Sequence, residues 1–281
     1  MVQVFVDKVE SYGEVGKFLE KVFDLFSIED CEFLKPNFLK FDHPENGCIT
    51  HPEVVKSILR LAKEHGIELV VIEGGFFKKS ASECFKAFEI EKFAKCINLN
   101  EDEFLEIEIN GRALKSVKIA KTAVLARNRF ISVPKMKVHH LTKVTLGIKN
   151  NIGFLKKPAV YMHPGIDQKL VDLLQFTKPK LTIIDGIIAG NLSEMFPKPV
   201  KHGVMIASDN VIACDFVATL LMNINPYEVE HIRLAMEIFN LKAEDIEVVG
   251  EIEPKDYSLS FTSRILGNFV YKQNSAKGKN I

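Results

Sequence analysis

Between positions 109 and 166 the chain has no aspartate and no glutamate, a gap of 58 residues that nevertheless holds 12 lysines and arginines. At the chain's mean frequency about eight acids belong in such a span, so positive charge collects there and marks the favoured place for an anion. The formal net charge of +0 hides this, because residues 1–108 carry 22 acids against 13 bases and residues 167–281 carry 15 against 12. Cysteine is scarce: Cys31, Cys48, Cys84, Cys96 and Cys214 are widely spaced and form no C-x-x-C pair. That spacing gives no zinc ribbon, iron–sulfur cluster or redox dithiol, and free thiols are expected. There is no G-x-G-x-x-G, Walker lysine motif, G-x-S-x-G or H-E-x-x-H, which argues against standard dinucleotide or nucleotide binding and against hydrolases of those classes. No stretch approaches the roughly 18 apolar residues of a membrane span, and the opening MVQVFVDKVE has no leader-like pattern. A cytoplasmic protein without membrane contact is expected.

What is present reads as an α/β chain. Residues 2–6 alternate as a strand, and Val15, Phe18, Leu19, Val22, Phe23 and Phe26 fall on one helical face. Residues 31–34 form a short strand ending in Lys35-Pro36-Asn37. A helix then opens at Thr50-His51-Pro52-Glu53, with Thr50 and Glu53 as a capping box, and stops at Gly66. Residues 68–73 form an apolar strand ending at Gly74-Gly75, and the next helix begins near Ser80. Strands over 130–133, 181–184, 204–207 and 246–249 and helices over 141–152, 166–176, 211–221 and 228–239 continue the rhythm. It predicts a mostly parallel sheet with helices on both faces. Asn110-Gly111, flanked by residues 103–109 and 114–119, predicts a β-hairpin insertion at about residues 100–120. The expected organisation is one α/β domain over 1–265 followed by a mobile tail, 266–281.

In a parallel open sheet the strand C-terminal ends share one edge, where helix N-termini face and ligands bind. Lys35 and Asn37, Gly74 and Gly75, Lys135 to His140, Asp185 and Asp209 each follow a strand. An extended backbone over 134–140 sends Lys135, Lys137 and His139 to one side and Met136, Val138 and His140 to the other. The first side offers two ammonium groups for phosphate or carboxylate and an imidazole for proton transfer. His139 and Asp185 are therefore the catalytic candidates. Lys35, Asn37, Gly74, Gly75, Lys135, Lys137, Lys149 and Asn150 are the anion-binding candidates. No cofactor is signalled; a divalent metal would fall to Asp185 and Asp209, and His43, Cys48 and His51 form a weaker ligand set lacking a fourth member.

The run Val133-Pro134-Lys135-Met136-Lys137-Val138-His139, then Thr145-Leu146-Gly147-Ile148-Lys149-Asn150 with Gly153, His163-Pro164, Ile184-Asp185-Gly186 and Ala207-Ser208-Asp209 through Asp215 form a pattern together with Lys35-Pro36-Asn37 and Thr50-His51-Pro52-Glu53. In order and spacing this pattern resembles the family numbered 362 among the domains of unknown function. The resemblance covers roughly residues 30–250 and implies no assigned reaction. Many members carry ferredoxin-like iron–sulfur segments, which implies a redox setting, but this chain lacks the cysteines and no cluster is expected. Members often have a glycine-rich stretch after the aspartate-glycine pair, where this chain reads IIAGNLSEMFPKP. A looser likeness is to nickel-pincer lactate racemases, which also place a histidine, small residues, a lysine and a glycine centrally.

The favoured reading is an enzyme acting on a small anion, with redox or racemase-like chemistry on a hydroxy or keto acid as its sharpest form. A non-catalytic carrier or assembly factor for a metal or cofactor is the alternative. Nucleic-acid binding is disfavoured by the acidic flanks and the few aromatics of the basic segment.

Overall fold

Period-two alternation splits the strand side chains between two apolar layers, and the helices cover both. In a computed structural model the described residues are 1–76, 80–156 and 162–265. The strands are β1 (Val2–Lys8), β2 (Phe33–Pro36), β3 (Val70–Glu73), β4 (Cys96–Asn98), β5 (Phe104–Glu108), β6 (Ser116–Ala120), β7 (Phe130–Val133), β8 (Lys135–His139), β9 (Lys143–Val144), β10 (Leu181–Asn191), β11 (Lys198–Ser208) and β12 (Ile246–Val249). The helices are α1 (Val15–Leu25), α2 (Pro52–Glu64), α3 (Ser80–Ala87), α4 (Lys121–Leu125), α5 (Leu146–Asn150), α6 (Ile166–Leu174), α7 (Val211–Leu221) and α8 (Glu230–Ile238).

A ten-stranded sheet runs β12-β1-β11-β10-β7-β2-β3-β4, with β8 on β10 and β9 on β8. The pairs β12–β1, β10–β7, β10–β8, β7–β2, β2–β3 and β3–β4 are parallel. Alternate residues face opposite layers: Leu34, Val71, Ile131 and Ile183 pack with α1, α2 and α3, while Phe33, Ile72, Phe130 and Ile184 pack with α5, α6, α7 and α8. The mostly parallel sheet with helices on both faces is thus present, as is the expected hairpin, β5–β6, a separate two-stranded antiparallel sheet. Its turn is fixed from outside. The Asp172 carboxylate on α6 accepts from the amides of Ala113 (2.7 Å) and Leu114 (2.8 Å), and a Cβ at Gly111 would overlap that carboxylate.

Three expectations give way. β11 is antiparallel to both β1 and β10. Alternation carries no direction, so the sequence could not show that β10 and β11 form one long hairpin. The helix expected over 141–152 shortens to α5, because Lys143 and Leu146 adopt left-handed backbone (φ 61° and 48°) and β9 turns back onto β8. Thr50 is not a helix cap: its hydroxyl accepts from Asn37 N (2.8 Å) and donates to the Val133 carbonyl (2.6 Å), tying β2 to β7, while the His51 ring accepts from Glu53 N to cap α2. The tail from 266 onward lies outside the described residues.

Candidate functional site

Because β2, β3, β7 and β10 run parallel, their C-terminal ends meet at one edge, and a cavity of about 480 Å³ opens there. Lys35, Asn37, Gly75, Lys137, His139, Lys149 and Asn150 line it, joined by Glu73, His140, Thr145, His163 and Glu194. Gly74, Lys135, Asp185 and Asp209 do not line it.

The floor is a buried ion pair. Lys35 Nζ lies 3.0 Å from Glu73 Oε2, with both side chains essentially inaccessible, and the Glu73 carboxylate also accepts from the amides of Phe38 and Gly74. Burial lowers the Lys35 ammonium pKa, against the pull of Glu73. Gly153 is where the chain closes over this pair: a Cβ there would overlap Glu73 Oε1 and sit 2.8 Å from Lys35 Nζ. Asn150 bridges the floor to the wall, its oxygen accepting from Asn37 Nδ2 (3.2 Å) and Lys35 Nζ (3.4 Å) and its nitrogen donating to Ser132 Oγ (3.1 Å).

The two remaining lysines differ from Lys35 in having no carboxylate partner among the described residues. Lys137, 1% exposed, donates to the carbonyls of Cys48 (2.6 Å) and Glu194 (3.3 Å). Burial lowers its pKa. Lys149 is half-buried and has no hydrogen-bond or ion-pair partner among the described residues. Burial, with Lys137 nearby, pushes its pKa down to about 8. It stays mostly cationic at neutral pH. On the same cavity, Thr145 Oγ1 and Asn37 Oδ1 are buried polar atoms without hydrogen-bond partners among the described residues. Such atoms cost free energy unless something satisfies them.

Lys149 and Asn150 are held by a group from the adjoining helix. Fully buried Asp215 on α7 accepts from the amides of Gly147 (2.7 Å) and Ile148 (2.8 Å) at the start of α5. No cation among the described residues pairs with it, and burial pushes its carboxyl up to about 7 against those two hydrogen bonds. Gly147 permits the approach, since a Cβ there would lie 2.9 Å from Asp215 Oδ1.

Imidazoles form the remaining wall. His139 Nδ1 accepts from the amides of Leu141 (3.2 Å) and Thr142 (3.4 Å), so its lone pair there is engaged and the neutral ring carries its proton on Nε2. Burial, reinforced by Lys149, His140 and Lys137, holds its pKa well below the ordinary imidazole value. His140 was expected on the opposite side; the chain turns after His139, the alternation ends, and both rings stack with centroids 4.9 Å apart. His140 Nδ1 contacts Glu194 Oε1. Burial raises the Glu194 carboxyl pKa, but the contact with His140 outweighs it and the net shift is downward. His139, His140 and Glu194 are the one set of at least three candidate metal-binding side chains among the described residues, with ligand atoms within 4.8 Å of one another.

Asp185 sits behind the cavity. Fully buried, it pairs with Lys135 Nζ (2.8 Å) and accepts from His51 N (2.8 Å) and Tyr12 Oη (3.4 Å). Lys135 is thereby committed to a structural pair. Asp209 is exposed and follows β11, whose last residue, Ser208, pairs with Thr182 near the start of β10. It therefore lies at the opposite edge from Asp185, as the antiparallel course of β11 requires. His43, Cys48 and His51 do not gather: the rings of His43 and His51 cap the turns after them, and the Cys48 thiol points to the carbonyls of Glu194 and Met195. Sequence reasoning missed Glu194, Thr145, His163 and the role of Asp215. Glu194 lies in the stretch that lacks the expected glycines, and no local signal marked it.

Comparison with known proteins places this site within a family. The thylakoid-associated protein sll1697 of Synechocystis sp. is 29% identical over 233 residues, covering 78% of this chain and 68% of that protein. No helix among the described residues is long and apolar enough to cross a membrane. The family model described as a domain of unknown function, DUF362, matches residues 33–219, which include most of the residues lining the cavity, and the chain belongs to that family.

Proposed function

We propose that the cavity binds a small anion, a carboxylate or a phosphate, and that the protein is an enzyme acting on it. The observation that carries this reading is Lys149, a half-buried cation without a partner among the described residues, in a cavity also lined by Thr145, whose buried hydroxyl is unsatisfied. A bound anion answers both needs at once, as counter-charge to the ammonium and as acceptor for the Thr145 hydroxyl; the Asn37 oxygen accepts only and calls for a donor on the ligand. Lys137 adds charge from below, Asn150 and Lys35 fix the floor, and the neutral His139 offers an Nε2–H donor to the ligand. Asp185 and Lys135 act at one remove, as a buried pair that sets the path of β8 against β10. What speaks for a small molecule over nucleic acid is that Lys135 and Lys137, the centre of the basic run, are 0% and 1% exposed. Five unpaired cysteines suit a reducing compartment, and we place the protein in the cytoplasm.

A second reading, a carrier for a metal, is favoured by the grouping of His139, His140 and Glu194. It requires the His139 ring to give up its two backbone hydrogen bonds or its Nε2 proton before that nitrogen can coordinate.

Anion-dependent thermal stabilisation tests the first reading. The Lys149→Met variant is preferable to one at Lys137, whose ammonium anchors two carbonyls and whose loss would loosen the site. Stabilisation of the native chain by inorganic phosphate or 2-oxobutyrate, lost in Lys149→Met, is expected; equal stabilisation of both would remove Lys149 from the site.

A further inference from the structure

The two stacked imidazoles are not equivalent, and their difference points to a reaction class. His139 has its Nδ1 lone pair filled by two backbone amides, so its cavity-side nitrogen is a donor. His140 has its Nδ1 against the Glu194 carboxylate, and its backbone amide lies 3.4 Å from Glu194 Oε2. A carboxylate accepts only, so this ion-pair contact favours the ring proton on Nδ1 and leaves the lone pair on Nε2. One ring gives a hydrogen bond and its neighbour can take a proton.

We infer that His140 and His139 form a base and donor pair that enolises a small 2-oxo acid, with Glu194 as the positioning residue for His140. This rests on the anion-binding reading of the same cavity. The carboxylate of such a substrate meets Lys149, its ketone oxygen meets His139 Nε2–H, and its C3–H meets His140 Nε2. A ketone oxygen and the carbon next to the carbonyl are about 2.4 Å apart by standard bond lengths. Two hydrogen-bond reaches from rings whose centroids are 4.9 Å apart span that distance. In the step, the C3–H bond breaks, its proton forms a new N–H bond at His140 Nε2, and its electron pair becomes the C2–C3 double bond. The carbonyl π pair moves to oxygen, giving an enolate held by His139 Nε2–H and the lysine cations. Nothing is oxidised or reduced, and no second substrate is needed. Reversal returns a proton to C3. His139 remains neutral throughout: it hydrogen-bonds the enolate oxygen and does not transfer its own proton. Glu194 holds the His140 ring in place through its contact with Nδ1, and Lys137, Lys149 and His163 line the same cavity.

Two measurements test this on the full chain. Long-range proton–nitrogen spectra of the 15N-labelled protein, assigned with His139→Gln and His140→Gln, report the two tautomers directly. An Nε2–H ring at His139 and an Nδ1–H ring at His140 are expected; the same tautomer at both positions overturns the pair. In deuterated buffer, proton spectra of 2-oxobutyrate should show loss of the C3–H signal faster than in buffer alone. Exchange should be abolished by His140→Gln, slowed by His139→Gln, and in Glu194→Gln lowered in kcat with the KM for 2-oxobutyrate little changed. Exchange unchanged in His140→Gln overturns the inference. Binding of 2-oxobutyrate that depends on Lys149 but is unaccompanied by exchange also overturns it, while leaving the anion site standing. Absence of binding by both 2-oxobutyrate and phosphate overturns the reading beneath it.

Discussion

Asp215 makes the strongest quantitative prediction, because it is a fully buried carboxyl with no paired cation among the described residues and its two acceptor contacts tie down the helix that carries Lys149. Burial lifts its folded-state pKa to about 7, well above the ordinary carboxyl value. With the folded pKa raised, the folded chain holds this proton over a range where the unfolded chain has lost it, so the contribution to stability falls as pH rises from about 4 to about 7 and then levels off. One pKa unit corresponds to about 1.4 kcal/mol, and the linkage relation gives a loss of about 3 kcal/mol between pH 5 and pH 8. Asp215→Asn removes the titration and keeps an oxygen for one of the two amides. Urea unfolding of native and variant chains at pH 5 and pH 8 isolates the term, since every other group is common to both. The native minus variant difference in unfolding free energy should become about 3 kcal/mol less favourable to the native chain at pH 8. A difference independent of pH would refute the account of Asp215 as an ionisable group held against its own charge.

Three further outcomes follow from the same geometry. Anion affinity should fall as pH rises through about 8, where Lys149 loses its proton, and calorimetric titration of phosphate across pH 6.5–9.5 reads this; the loss should be absent in Lys149→Met, which binds weakly throughout. Gly153→Ala should destabilise the fold by about 1–3 kcal/mol, because a Cβ there overlaps Glu73 and crowds Lys35, and thermal denaturation measures it. Glu73→Leu should cost about 3–5 kcal/mol by leaving the Lys35 ammonium buried without a counter-charge, and adding Lys35→Met should recover much of that loss in the double variant.

Much of this arrangement was legible because it rests on local signals. The strand–turn–helix rhythm placed Lys35, Asn37, Lys137 and His139 near one edge, and the cavity is lined by all of them, with Lys149 and Asn150 from the helix that follows. What local signals do not carry is direction and partnership. The alternation of Val204 to Ala207 reads the same in either direction, so the reversal of β11, and with it the displacement of Asp209 to the far edge, came only with the sheet register. Lys135 and Lys137 look alike in sequence. One is neutralised by Asp185, 50 positions away, and the other is not, a distinction made by packing across β10. His140 follows the last residue of β8, where a single turn residue changes the side it faces. Glu194 reaches the cavity only because β10 and β11 extend past the core and bring their connection over it.

The most direct test of the anion site is a crystal structure of the chain grown with saturating 2-oxobutyrate or phosphate. The account predicts an anion within hydrogen-bond reach of Lys149 Nζ and Thr145 Oγ1, with His139 and His140 along its flank. A cavity without the anion at saturating concentration, or a Lys149 ammonium already paired with a carboxylate of the protein, would contradict it.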